Sequence, residues 1–234
     1  MSLCEELGHC HKKVRSLGFL NLCDRYRHEL YTKVQNSTSP SNRPLALPTL
    51  LPLASDTDGK QCRNELHLSR ESRKRLSLQL CTSLLQLYQT PWITGEWDGN
   101  EIIFRDRGEV THSATFRYPY LRRQVSYLPE AQKDTQAVLF RLGVLLLELC
   151  LGKRVSGNSL HLEKSRPNLE PDYDRWLLTA ASEEGGEIAD AIRKCIYFDF
   201  ATHCRTLEKD DLRIALFNEV VRPLKAALGS FQME

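Results

Sequence analysis

The run Val138-Leu139-Phe140-Arg141-Leu142-Gly143-Val144-Leu145-Leu146-Leu147-Glu148-Leu149-Cys150-Leu151 decides the fold. Apart from Arg141 and Glu148 it is apolar or glycine throughout, so a helix built on it is apolar on nearly all sides. That is the pattern of a central helix wrapped by others. It falls short of the ~18–20 apolar residues that cross a bilayer, which makes it a core helix and not a membrane span. The helix is predicted over about Thr135–Leu151. Gly152 serves as a left-handed C-cap, and Lys153 and Arg154 suit the negative end of the helix dipole.

Upstream, Leu76, Leu80, Leu84 and Leu87 recur at spacings of four, four and three, the buried stripe of a helix over about Arg70–Gln89. Thr90-Pro91 ends it, because the residue before proline is pushed out of the α region. A short strand over about Glu65–Leu68 precedes this helix. A second strand, Ile102–Phe104, is entered from the Asp98-Gly99 turn, and an extended segment follows over about Thr111–Arg117. Downstream, helices are predicted over about Tyr173–Ala180, Ile188–Tyr197 and Lys209–Leu228. Pro223 bends the last of these, and Asp210-Asp211 at its start suits the positive dipole end.

The remaining chain divides by composition. Residues 1–34 read as helical: Ser2 and Glu5 form a capping box, and a second helical stretch spans about Asn21–Lys33 after Gly18. Residues 35–62, with Pro40, Pro44, Pro48 and Pro52 among serines and asparagines, read as a linker without regular structure. Its Leu45, Leu47, Leu50, Leu51 and Leu53 suit a groove of the following domain. Residues 63–234 form that domain. The fold class is therefore mainly α with a small β element (α+β).

Charge narrows the function. Net charge is +2, from 32 basic and 30 acidic residues, a balance that provides no long-range field to gather nucleic acid or anionic membrane. The first twenty residues carry Glu5, Glu6, Lys12, Lys13 and Arg15 and no apolar targeting core, so an intracellular location, cytoplasmic or nuclear, is expected. The eight cysteines form no Cys-x-x-Cys pair and read as reduced thiols packed as small hydrophobes. Cys4, His9, Cys10, His11, Cys23 and His28 lack the paired spacing of a zinc site, so no metal is expected. His112, His161 and His203 read as solvated loop residues.

The order of these pieces carries a resemblance. Leu142-Gly143-Val144-Leu145-Leu146-Leu147-Glu148-Leu149-Cys150-Leu151-Gly152-Lys153 resembles the central helix of the protein-kinase C-terminal lobe. Ser126-Tyr127-Leu128-Pro129-Glu130 resembles the Ala-Pro-Glu segment before it, and Ala191-Ile192-Arg193-Lys194-Cys195-Ile196 a later helix. Leu84-Leu85-Gln86-Leu87-Tyr88-Gln89-Thr90-Pro91-Trp92-Ile93 with Trp97 and Ile102-Ile103-Phe104, then Phe217-Asn218-Glu219-Val220-Val221-Arg222-Pro223-Leu224, resemble a fungal domain of unknown function. That domain often follows a HeLo (prion-inhibition and propagation) domain. The resemblance covers roughly residues 63–228 and, more loosely, the first 34, where Leu3-Cys4-Glu5-Glu6-Leu7 fits its pattern; it implies a kinase-like helical lobe, with a role in fungal self-recognition or cell-death signalling.

Kinase chemistry requires a base, magnesium ligands and a lysine on the phosphates. On the kinase catalytic loop, Thr94-Gly95-Glu96 fall where His-Arg-Asp is expected, Asp98 where the loop lysine sits, and Glu101 where the magnesium-binding asparagine sits. Asp106-Arg107-Gly108 stands near where Asp-Phe-Gly belongs, but with Arg in the middle it reads as a polar hairpin turn. No glycine-rich phosphate loop precedes it. The expectation is a degenerate loop with no catalytic residue, no nucleotide cofactor and a protein partner. The candidate contact residues are Trp97, Tyr118, Tyr120, Arg122 and Arg123, the last four matching the kinase activation segment. Two alternatives stand beside this one: a divergent phosphotransferase using Glu96 as base, and an incomplete fragment completed by a partner chain.

Overall fold

The computed structural model describes residues 16–22, 26–31, 44–51, 68–90, 93, 97–105, 119–121, 134–155 and 173–229. The chain divides into two compact units, Met1–Asn42 and Arg43–Glu234.

The first unit departs from the helical reading of residues 1–34. Its described residues form an antiparallel hairpin of β1 (Ser16–Leu22) and β2 (Tyr26–Tyr31), with Phe19 opposite Glu29 and Leu22 opposite Tyr26. Over Asn21–Lys33, where a helix is expected, the described residues Asn21, Leu22 and Tyr26–Tyr31 are strand. Only three residues, Cys23-Asp24-Arg25, join the strands, a connection suited to a tight hairpin. Tyr26 and Tyr31 are aromatic residues that favour a pleated surface.

In the second unit the predicted linker is partly structured. Pro44–Ala46 forms β3, and Leu47–Leu50 a 3₁₀ turn that buries Leu47 and Leu50, with Leu51 buried just beyond. The prolines that suggested an irregular linker sit where proline is tolerated. Pro44 opens an edge strand, and Pro48 lies in the first turn of the 3₁₀ segment, both positions that need no N–H donor. The leucines supply the apolar surface that holds the segment against the domain. The predicted strand at 65–67 and extended segment at 111–117 lie outside the described residues.

β3 pairs antiparallel with β4 (Ile102–Arg105), which pairs with β5 (Tyr120–Leu121), giving the order β3-β4-β5. The helices are α1 (Arg70–Leu87), α2 (Thr135–Leu151), α3 (Tyr173–Glu184), α4 (Gly186–Tyr197), α5 (Asp210–Leu216) and α6 (Arg222–Gly229). The domain is thus mainly helical with a small antiparallel sheet. Helix α2 is the predicted pillar: α1, α3 and α4 pack on it, and Leu145, Leu146 and Leu149 are all 2% exposed or less. Asp134 caps its first turn, accepting from the Gln136 amide at 2.9 Å, and Gly152 closes it at φ 65°. Gly143 lets α4 approach, since a Cβ there would stand 2.9 Å from the Ile196 backbone nitrogen. Cys81 and Cys195 are fully buried, as the small-hydrophobe reading requires. Among the described residues no helix is long and apolar enough to cross a membrane.

The bend expected at Pro223 is a π turn, Phe217–Val221, between α5 and α6. Proline lacks the N–H that would bond the residue four back, and its ring clashes with that carbonyl. Widening the turn just ahead of it relieves both problems: the Arg222 amide donates to the Phe217 carbonyl, five residues back.

Candidate functional site

The site lies where the end of α1 meets the start of α2 and the sheet. Tyr88, just past α1, is buried, and its hydroxyl stands 2.6 Å from the Thr135 hydroxyl at the head of α2. Thr90 turns back to donate from its hydroxyl to the Leu87 carbonyl at 2.7 Å. These bonds fix the start of the segment that runs on to Trp97 and the 3₁₀ turn Gly99–Glu101.

Trp97 is 2% exposed. The sequence left it as a contact residue; the structure corrects this, because its indole is part of the core. A large ring buries too much apolar surface to remain in water when the loop folds onto the α2 pillar. Its carbonyl lies 3.5 Å from an Arg141 guanidinium nitrogen.

Asp98 is engaged in local structure. Its Oδ1 accepts from the Asn100 amide at 2.7 Å and its Oδ2 from the Asn100 side chain at 3.0 Å. This is an N-cap, in which an acidic side chain satisfies the first free amides of a turn. Gly99 sits close beneath, where a Cβ would stand 3.2 Å from Leu145 Cδ2 and 3.4 Å from Pro48 Cγ. The turn is therefore pinned between α2 and the segment after β3. Glu101, the last residue of the turn, is half-buried. From it the chain enters β4, whose Ile102, Ile103 and Phe104 are all buried.

β5 lies on the outside of β4, Ile103 opposite Tyr120 and Ile102 opposite Leu121. Tyr120 is 39% exposed there. The structure thus brings Asp98, Glu101 and Tyr120 to one end of the small sheet and takes Trp97 into the interior. Thr94, Gly95, Glu96, Tyr118, Arg122 and Arg123 lie outside the described residues, as do the cysteines and histidines of the N-terminal segment apart from the backbone of His28. Among the described residues no group of three or more His, Cys, Asp or Glu side chains is placed to hold a metal. His203 is exposed, as expected of a solvated loop residue.

One cluster escaped the sequence reading. At the start of α1, Arg70 Nε and Lys74 Nζ reach the two Glu184 carboxylate oxygens at 2.6 and 2.7 Å. Burial alone raises the Glu184 carboxyl, but the hydrogen bonds from Arg70 and Lys74 outweigh it and hold the group below its ordinary value. The signal was present. Arg70-Glu71-Ser72-Arg73-Lys74-Arg75 puts four cations in the first turns of a helix, where the dipole disfavours them.

Over residues 1–231 the chain matches a family described as a domain of unknown function (DUF7580), and it belongs to that family. No curated protein and no solved structure matches it.

Proposed function

We propose that this family member is a non-catalytic, kinase-lobe-like interaction module that takes a segment of another protein along the β5 edge. The observation that carries the reading is Tyr120: a large aromatic, 39% exposed, on the edge strand of a sheet whose central strand has Ile102, Ile103 and Phe104 buried. A peptide that adds to a sheet edge takes its specificity from alternate side chains, and Tyr120 suits such an anchor. The opposite edge is blunted by Pro44, which has no N–H to donate. Aromatic side chains are also frequent anchors at protein interfaces.

Two further observations favour binding over phosphotransfer. Both oxygens of Asp98 are engaged by Asn100, Oδ1 capping the 3₁₀ turn through the backbone amide and Oδ2 accepting from the side chain, and Trp97 is a core residue. The position matching the kinase loop lysine therefore holds a structural acid. The sequence resemblance supports a setting in fungal self-recognition or cell-death signalling, in the cytoplasm or nucleus.

The test has two arms. Peptides selected from a random displayed library against the whole chain are expected to lose binding at least tenfold to Tyr120→Ser, whose melting temperature should stay near wild type. The melting temperature is also expected not to move with magnesium and ATP, since a ligand that binds the native state raises it by mass action. A rise with ATP that Glu96→Ala abolishes overturns the module in favour of a phosphotransferase.

A further inference from the structure

The outer face of the last helical stretch carries an apolar step between opposite charges. Ile214 of α5 and Phe217 at the start of the π turn are 57% and 48% exposed, whereas Leu212, Leu216, Val220 and Leu224 hold the inner side in the core. Asp210 stands one turn before Ile214, and Arg222 one turn beyond Phe217. The π turn sets that last step, because the Arg222 amide donates to the Phe217 carbonyl. Residues five apart are neighbours there, where an ordinary helix aligns residues three or four apart. Lys225 follows a turn later. Asp210, Arg222 and Lys225 are all exposed, so one stripe reads acid, apolar, apolar, base, base.

These charges are uncommitted. Nearby, Lys194 joins Asp190 at 3.0 Å and Glu219 at 3.1 Å. Among the described residues Asp210, Arg222 and Lys225 make no ion pair, and Arg222 has a 3.4 Å hydrogen bond to Asn218 Oδ1. Asp210 by itself suits the helix dipole, but the dipole accounts for neither the exposed aromatic nor the base beyond it.

The order along the stripe is self-complementary. A two-fold axis passing between Ile214 and Phe217 sets two copies of the helix antiparallel. Ile214 then meets Phe217 of the second copy, and Asp210, one turn out on one side, meets Arg222, one turn out on the other. The symmetry repeats every contact, giving two apolar pairs and two ion pairs. Parallel helices would instead set Asp210 on Asp210 and Arg222 on Arg222, and like charges repel. The net charge of +2 adds little repulsion between whole copies.

We propose that this face is where a second copy of the chain docks, as an antiparallel, two-fold homodimer through α5, the π turn and α6. One helix from each copy buries less than the ~1,200–2,000 Å² of stable complexes, so the dimer is a weak one that forms as concentration rises. It uses no residue of the β5 edge and stands apart from the peptide-binding reading.

The test is sedimentation equilibrium of the whole chain at low salt across about 5–500 μM, the range in which weak complexes dissociate. Monomer is expected at the bottom of the range and dimer at the top. Ile214→Ser with Phe217→Ser should keep the melting temperature near wild type and weaken association at least tenfold. Asp210→Arg and Arg222→Asp should each weaken self-association about tenfold, since each sets like charges together twice. An equimolar mixture of these two charge variants should associate again, because one copy then carries two bases and the other two acids at the facing positions. This mixture decides the matter should the serine variant fail to fold. Monomer at every concentration overturns the proposal and leaves the stripe to a partner of another kind. Association that the folded serine variant retains, or a mixture no more associated than either charge variant alone, overturns it as well.

Discussion

Replacing Gly143 by alanine sets two effects of known size against each other. In a helix interior, glycine to alanine ordinarily stabilises by about 1 kcal/mol, because alanine loses less backbone entropy on folding. At Gly143 the added Cβ would stand 2.7 Å from Ile196 Cγ1, 2.9 Å from the Ile196 backbone nitrogen and 3.0 Å from Cys195 Cβ. The first contact yields to a rotamer change of Ile196. The second does not, since it is backbone of α4, so the two helices must move apart where both are buried. Overpacking of this kind costs ~1–3 kcal/mol. The net expectation is destabilisation by about 1–2 kcal/mol, seen as a lower urea midpoint with unchanged slope. For a domain of this size each kcal/mol lowers the melting temperature by about 2–4 °C. Gly186, the first residue of α4, is the control: a Cβ there meets nothing within 4 Å. Gly186→Ala should be neutral or stabilising by up to ~1 kcal/mol. A Gly143→Ala variant at least as stable as wild type would refute the close approach of α2 and α4.

Two further perturbations have definite signs. Glu184→Gln should destabilise by about 1–2 kcal/mol near neutral pH, between the values for exposed and buried pairs because Arg70 is half exposed. The Glu184 carboxyl is held below its unfolded value, so its contribution is present above that unfolded value and lost as pH falls through the folded one. The gap between wild type and variant in urea denaturation should therefore be constant from pH 6 to 8 and close below about pH 4.5; a gap that widens on acidification contradicts the pairing. Tyr88→Phe removes the 2.6 Å contact with Thr135 and should cost about 1–2 kcal/mol, whereas Tyr88→Phe with Thr135→Val should recover part of it, because removing both partners leaves no orphaned hydroxyl. Equal stability of the single and double variants would argue against that bond.

The helical domain was legible because its signals are local and strong. All-round apolarity marked α2 with its glycine cap, and the leucine stripe with a following proline marked α1. The β3 segment was harder: its prolines and serines signal irregular chain locally, while its order comes from Leu47, Leu50 and Leu51 meeting partners far along the sequence. Local propensity cannot register such contacts. The hairpin at residues 16–31 failed for a related reason, since charges and leucines over a short run fit helix and strand about equally well. At the site, Asp98 and Tyr120 were flagged from the kinase likeness and Trp97 was misassigned. An aromatic residue in a loop carries the same sequence signal whether it points out or in.

The π turn at Phe217–Val221 also bears on which length changes the chain tolerates. A helix gains 100° of rotation with each residue, so removing one residue from the exposed stretch Phe217-Asn218 would turn α6 by about that angle unless the wide turn closed in compensation. Closing it demands an amide where Pro223 has none. A deletion here is therefore coupled to replacement of Pro223: alone, either the buried Leu224 leaves the interior or a carbonyl loses its partner. Together, the two changes yield an ordinary straight helix that keeps Leu224 in place. Relatives one residue shorter at this point should accordingly lack the proline.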